Sequence, residues 1–195
     1  LREFARAELG LGKRESWDVA FASEKLRAKR YAFSDQEVKQ YFTEPRVLEG
    51  LFRIVETLFE VNIRPDTASV WHPDVRYFDV TDARSGAFVS SFYLDLFPRD
   101  GKYNHAAAFG VRGVSTLANR TPISVLVANL NAKGLNHDEL ETLLHEYGHV
   151  LHGVLSKTRY VDQSCTSVKR DFVEAPSQMF VECARREEPL ALFAT

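Results

Sequence analysis

At 195 residues the chain can bury a sizeable core, and 45% hydrophobic with 27% charged residues is the composition of a soluble globular protein. A net charge of -2 gives no reason to expect nucleic acid or an anionic membrane as a partner. No apolar run approaches the roughly 20 residues that a membrane helix needs. Two cysteines, Cys165 and Cys183, make no disulfide framework, and Leu1 to Arg14 is charged throughout, without the apolar core of a signal peptide. A reducing, cytoplasmic setting is therefore expected. The chain opens at Leu1 inside a helical pattern and stops at Thr195 just after another, which reads as a piece of a longer protein.

The first 65 residues read as helical. Ser34-Asp35-Gln36-Glu37 has the form of a capping box, with Ser34 as N-cap and Glu37 reaching back, before the apolar Val38, Tyr41 and Phe42. Thr43 and Pro45 mark another helix start. Behind them Val47, Leu48, Leu51, Phe52, Val55, Leu58 and Phe59 recur three and four residues apart, the spacing of an amphipathic helix.

After Pro65 the pattern changes. Val75 to Val80, Ala87 to Phe97 and Ile123 to Asn129 are rich in β-branched and aromatic residues, and they are bounded by turn material such as Arg84-Ser85-Gly86 and Pro98-Arg99-Asp100-Gly101. These predict three or four strands of a small, mostly antiparallel sheet, with Ala106 to Val111 as the possible extra one. Helical periodicity returns at Asn136, which with Glu139 forms a second capping-box start. Leu140, Leu143, Leu144, Val150, Leu151, Val154 and Leu155 supply the core side of a helix of about 18 residues. A loop is expected over 157–167. A further helix then covers Arg170 to Arg185, and Pro176 should kink it unless it begins close to that residue.

The chemistry lies in His145-Glu146-Tyr147-Gly148-His149. Two histidines four apart on a helix share one face, so both imidazoles can reach one zinc ion, with Glu146 beside them as candidate general base. This is a metalloprotease signature. The third ligand must come from elsewhere. A metzincin continuation requires glycine at 152 and histidine at 155, where the chain has His152 and Leu155. A glutamate from a following helix is the remaining class. Glu174, 25 residues after His149, is well placed, with Glu182, Glu187 and Glu188 as competitors farther along. One zinc held by His145, His149 and Glu174 lowers the pKa of a bound water from 15.7 towards about 7. Glu146 then takes its proton, and hydroxide attacks the scissile carbonyl. Glu141 and Asp171 are candidates to orient the ligands, with a solvated helix face as the plain alternative. His152 fits a polar wall or helix packing better than a fourth ligand. His72, His105 and His137 read as loop or cap residues, and both cysteines as ordinary thiols.

The segment from His145 to His152 resembles the first motif of the thimet oligopeptidase family of zinc peptidases (peptidase family M3). The run Arg170-Asp171-Phe172-Val173-Glu174-Ala175-Pro176-Ser177-Gln178-Met179 is similar to its second motif, nearly residue for residue. Trp71-His72-Pro73-Asp74-Val75, Tyr93 to Arg99 and Gly101 to Ala106 look like the sheet that precedes the zinc helix in that family. The resemblance implies an α+β, predominantly helical, zincin-like catalytic region with a small sheet at the floor of a deep channel. It divides the fragment into helices over 1–66, sheet over 67–130 and zinc-site helices over 131–195. It implies His145, His149 and Glu174 as zinc ligands, Glu146 as the catalytic carboxylate, and short peptides as substrates of a usually cytosolic endopeptidase. A peptidyl-dipeptidase of the same family, or a catalytically incompetent piece that only binds metal or peptide, are the alternatives. Two departures stand out. The acidic-Asn-Trp pattern that usually follows the second motif is replaced by Phe180-Val181-Glu182-Cys183-Ala184-Arg185. Family members are also several times longer, with a histidine and tyrosines beyond the zinc helices that stabilise the oxyanion, so this piece alone is expected to bind zinc yet turn peptides over poorly.

Overall fold

The computed structural model describes residues 1–13, 15–32 and 35–194. Helices α1 (Arg2–Glu8), α2 (Asp18–Tyr31), α3 (Asp35–Lys39) and α4 (Glu44–Phe59) come first. Ser34, the expected N-cap of α3, lies outside the described residues. Helix α4 starts as the sequence predicts, with Pro45 in its first turn, and buries the stripe Val47, Leu48, Leu51, Ile54 and Val55. Leu58 and Phe59, expected on the same face, are exposed at its end.

The helical reading of the first 65 residues holds only as far as Phe59. Glu60 turns into the left-handed region (φ 53°) and ends α4, and Val61–Asp66 is strand β1. Strands β2 (Arg76–Asp82), β3 (Phe88–Asp95), β4 (Ala107–Arg112) and β5 (Ile123–Val127) complete a five-stranded sheet in the order β1-β2-β3-β5-β4. All neighbours are antiparallel except β3 and β5, which run parallel because β5 inserts between β3 and β4. The β2–β3 turn falls where Arg84-Ser85-Gly86 predicts it. The Asp82 carboxylate there accepts from the Ser85 hydroxyl and from the Arg84 and Ser85 amides, and Gly86 supplies a φ of 71°. At the far end of β3, Arg99 and Lys102 fold back onto buried Asp95, which also accepts from the Trp71 indole. Burial opposes that charge, but these donors outweigh it and hold the carboxyl far below its ordinary range.

The core lies on one face of the sheet. Phe78, Val80, Phe92, Leu94, Leu96 and Leu126 point to the same side, as the two-residue period requires, and join the apolar stripes of α4 and of α5 (His137–Val154). At its centre the Phe52 ring meets Phe78, Phe92 and Tyr147 at centroid distances of 5.1, 6.1 and 6.0 Å. Helices α6 (Arg170–Val173), α7 (Ala175–Val181) and α8 (Glu187–Ala194) follow, with α7 laid across α5 and α8 packed on α4. The single helix expected over Arg170 to Arg185 is thus broken at Glu174, and Pro176 sits in the first turn of the second piece, where a missing N–H costs nothing. The architecture is mixed α/β with a mostly antiparallel sheet.

Candidate metal centre

Helix α5 begins with a complete capping box. The Asn136 side chain accepts from the Glu139 amide (2.8 Å), and the Glu139 carboxylate accepts from the Asn136 amide (2.8 Å). Eighteen unbroken residues follow, so His145 and His149 fall one turn apart, with ring centroids 4.9 Å apart and planes at 82°. Both are half-buried.

Glu174 reaches them from the break between α6 and α7. Its Oε2 lies 3.3 Å from His145 Nε2 and 3.2 Å from His149 Nε2. Among the described residues these three form the one group of His, Cys, Asp and Glu donors close enough to share an ion, all within 4.8 Å of one another. Glu182 instead pairs with Arg185, and Glu187 and Glu188 open α8, so none of the three competitors joins the group. The Glu174 carboxyl is held below its ordinary range first by the Ser177 hydroxyl (2.8 Å) and then, against burial, by the two imidazoles.

The donor set can be tested against zinc. Tetrahedral coordination at about 2.0–2.2 Å spaces neighbouring ligand atoms about 3.3–3.6 Å apart. The contacts between Glu174 Oε2 and the two imidazole nitrogens, at 3.3 and 3.2 Å, lie at the short end of that edge length or within about 0.1 Å of it, and two imidazoles with one carboxylate leave a fourth position open. The residues fit the ion. One detail is incomplete: His149 Nδ1 is buried with no hydrogen-bond partner among the described residues, although ligating histidines usually donate this atom to a carboxylate or carbonyl.

Glycine explains why α7 comes so close. A Cβ at Gly148 would stand 2.6 Å from Ser177 Cα and 2.9 Å from the Pro176 carbonyl, so the bare backbone of α5 forms the notch that lets α7 deliver Glu174. Glu146 is half-buried at the edge of a shallow cavity shared with Thr142, His145, Gln178, Val181 and Arg185, and its carboxylate makes no hydrogen bond among the described residues.

The remaining candidates separate cleanly. Glu141 does not reach His145; it binds Arg185 and His137. Asp171 is exposed, and no hydrogen bond joins it to either histidine. His152 stands in the wall of an apolar cavity of about 420 Å³ with Phe59, Leu151, Phe172 and Met179, and burial, then the neighbouring His149, pushes its pKa down. His72 and His105 lie in loops and His137 opens α5. Cys165 and Cys183 are free thiols. Ser177 was missed by sequence reasoning; its signal is a hydroxyl three residues after Glu174, the third candidate ligand.

The matching family is described as peptidase family M3, over residues 1–194. The chain belongs to that family. Among its relatives it is 36% identical to Oligopeptidase A of Salmonella typhimurium and 35% identical to that of Escherichia coli, in each case over 100% of this chain and 30% of the relative. It is 34% identical to the Dipeptidyl carboxypeptidase of Escherichia coli, over 92% of this chain and 28% of that protein. The chain therefore spans about 30% of the length of these two Oligopeptidase A relatives. No helix among its described residues is long and apolar enough to cross a membrane.

Proposed function

We propose that this chain carries the metal centre of a zinc-dependent, zincin-like peptidase that cuts short oligopeptides, with His145, His149 and Glu174 holding one zinc and Glu146 as general base. The observation that carries the reading is the convergence of His145 Nε2, His149 Nε2 and Glu174 Oε2 beside the uncommitted Glu146 carboxylate. The chemistry a bound zinc supplies is Lewis acidity, which polarises a carbonyl and brings the pKa of water towards about 7. Glu146 accepts the proton of the attacking water and returns it to the departing amine. Ser177 and the Gly148 notch keep Glu174 turned towards the histidines.

The peptide itself would lie along β4, which ends the sheet and leaves one edge of its main chain free for strand pairing. A cavity of about 350 Å³ between the start of β4 and α5, lined by His105, Ala106, Asn129, Asp138 and Thr142, follows the helix face that leads to His145. The relatives named Dipeptidyl carboxypeptidase support a second reading, release of dipeptides from a C-terminus. The products from one ten-residue peptide separate the two. A cytoplasmic location belongs to the same proposal and is consistent with two unpaired thiols.

Elemental mass spectrometry of the dialysed chain tests the centre directly. One zinc per chain is expected, falling on Glu174→Ala; an unchanged content in that variant would remove Glu174 from the ligand set. Glu146→Gln is expected to keep the metal and to lose hydrolysis by at least 10²-fold, as for loss of general-base catalysis of about 10²–10⁴-fold. This chain by itself is expected to bind zinc and to cleave a quenched-fluorescence peptide slowly.

A further inference from the structure

Glu174 is the least constrained of the three converging residues. Its backbone is the hinge between two short helices (φ -87°, ψ -6°), and its side chain is 53% exposed, against 26% for His145 and 13% for His149. A free glutamate side chain carries rotamer entropy that ligation must remove if nothing else has. Something in the structure already has.

Ser177 is fully buried. Its Oγ stands 2.8 Å from Glu174 Oε2 and 2.9 Å from the Glu174 carbonyl oxygen. The atom it touches is the same oxygen that lies between the two imidazoles. The hydroxyl cannot drift, because the Ser177 backbone is wedged into the Gly148 notch, where the Ser177 Cα takes the space of a side chain. A fixed point on the histidine helix thus sets the serine, and the serine sets the carboxylate. Ala175 and Pro176, which complete the turn, have no side-chain donor to offer, and the Pro176 nitrogen carries no proton.

Building on the zinc reading above, we propose that Ser177 is a positioning residue for Glu174: its buried hydroxyl holds Oε2 in the ligating rotamer before metal arrives. Both contacts of the hydroxyl fall on Glu174, one on its carbonyl and one on its carboxylate, so it acts through that residue. Its removal should therefore weaken metal binding while leaving the apo fold in place. Partners of this kind typically contribute about 10–100-fold to metal affinity.

The experiment is zinc affinity by competition with a chromophoric chelator, on the wild-type chain and on Ser177→Ala, together with the thermal midpoint of each metal-free protein. The expected result is a zinc Kd raised about 10–100-fold in Ser177→Ala, with the apo midpoints of the two proteins within a few degrees. Equal zinc affinities would overturn the inference. So would a weaker affinity accompanied by a large fall in the apo midpoint, since the serine would then be holding the helices together and not the carboxylate. Failure of the wild type itself to bind zinc would sink the metal reading instead, so the two failures are distinguishable.

Discussion

Helix α5 runs unbroken for 18 residues from a complete capping box, whereas the segment that faces it, α6 and α7, is interrupted at Glu174, the residue that matters most. His145 and His149 need nothing beyond helical geometry to share a face: once the helix forms, their separation is set. Glu174 has no such guarantee. Its place depends on a missing side chain at Gly148, on Pro176 starting α7 and on a hydroxyl at Ser177. Two of the three proposed ligands are fixed by periodicity and one by tertiary contact.

The crossing point is where that contrast can be broken most severely. Gly148→Ala gains about 1 kcal/mol of helix propensity in α5 but drives a methyl group into backbone at Ser177 and Pro176. Overpacking against atoms that cannot swing aside should cost towards the upper end of about 1–3 kcal/mol. Urea denaturation should therefore show a less stable protein, and a zinc titration a weaker site. A stabilised variant with unchanged affinity would mean that the notch is not what admits α7.

A smaller effect of opposite sign is expected one residue away. Tyr147 is fully buried among Phe52 and Phe92, and its hydroxyl has no partner among the described residues. Burial raises its pKa far above the ordinary value, so the group stays neutral. An unsatisfied buried hydroxyl costs about 1–3 kcal/mol. Tyr147→Phe should raise stability by about 1 kcal/mol, the low end of that range, and leave zinc affinity untouched. That outcome would show the continuous helix tolerating change at its core face while its ligand face stays in register.

The weakest tie between the two regions is ionic. Arg185, just after α7, donates through Nε to Glu141 on α5 (3.0 Å). The Arg185 hydrogen bond is the main cause of the lowered Glu141 pKa. Because the folded pKa is depressed, the contribution is fully present above the unfolded value of about 4.3 and is lost as pH falls through the folded one. The guanidinium is 52% exposed, so Glu141→Gln should cost less than about 1 kcal/mol at pH 7. The gap from wild type should narrow as the carboxylate is protonated in acid, and in 1 M salt; a gap that neither condition changes would assign the cost to packing.

The same contrast divides what is legible in the sequence from what is not. The capping box at Asn136, the length of α5, the histidine pair and the turn at Arg84-Ser85-Gly86 are all local, and local chemistry decides them. Strand β1 was misread as helix because Val-Asn-Ile-Arg-Pro-Asp has little strand pattern of its own and takes its form from pairing with β2. The insertion of β5 beside β3 is a long-range fact with no signature in either strand. Glu174 could be chosen by spacing, but the roles of Gly148 and Ser177 depend on how closely two helices approach, which no single segment encodes. A glycine inside a helix shows in the sequence only as a cost of about 1 kcal/mol; the room it makes shows only in the crossing.

The two margins of the sheet are unequally protected. Strand β1 carries Pro65, which has no amide proton to offer a newcomer, and its Arg64 is exposed. Strand β4 has no proline, displays Phe109 and Val111, and turns its single charge, Arg112, back onto Thr121. Among the described residues of that margin only Arg112 carries a charge, and an exposed apolar strand edge is a template for aggregation. Wherever β4 is left uncovered, colloidal stability, more than folding free energy, sets how concentrated this protein can become.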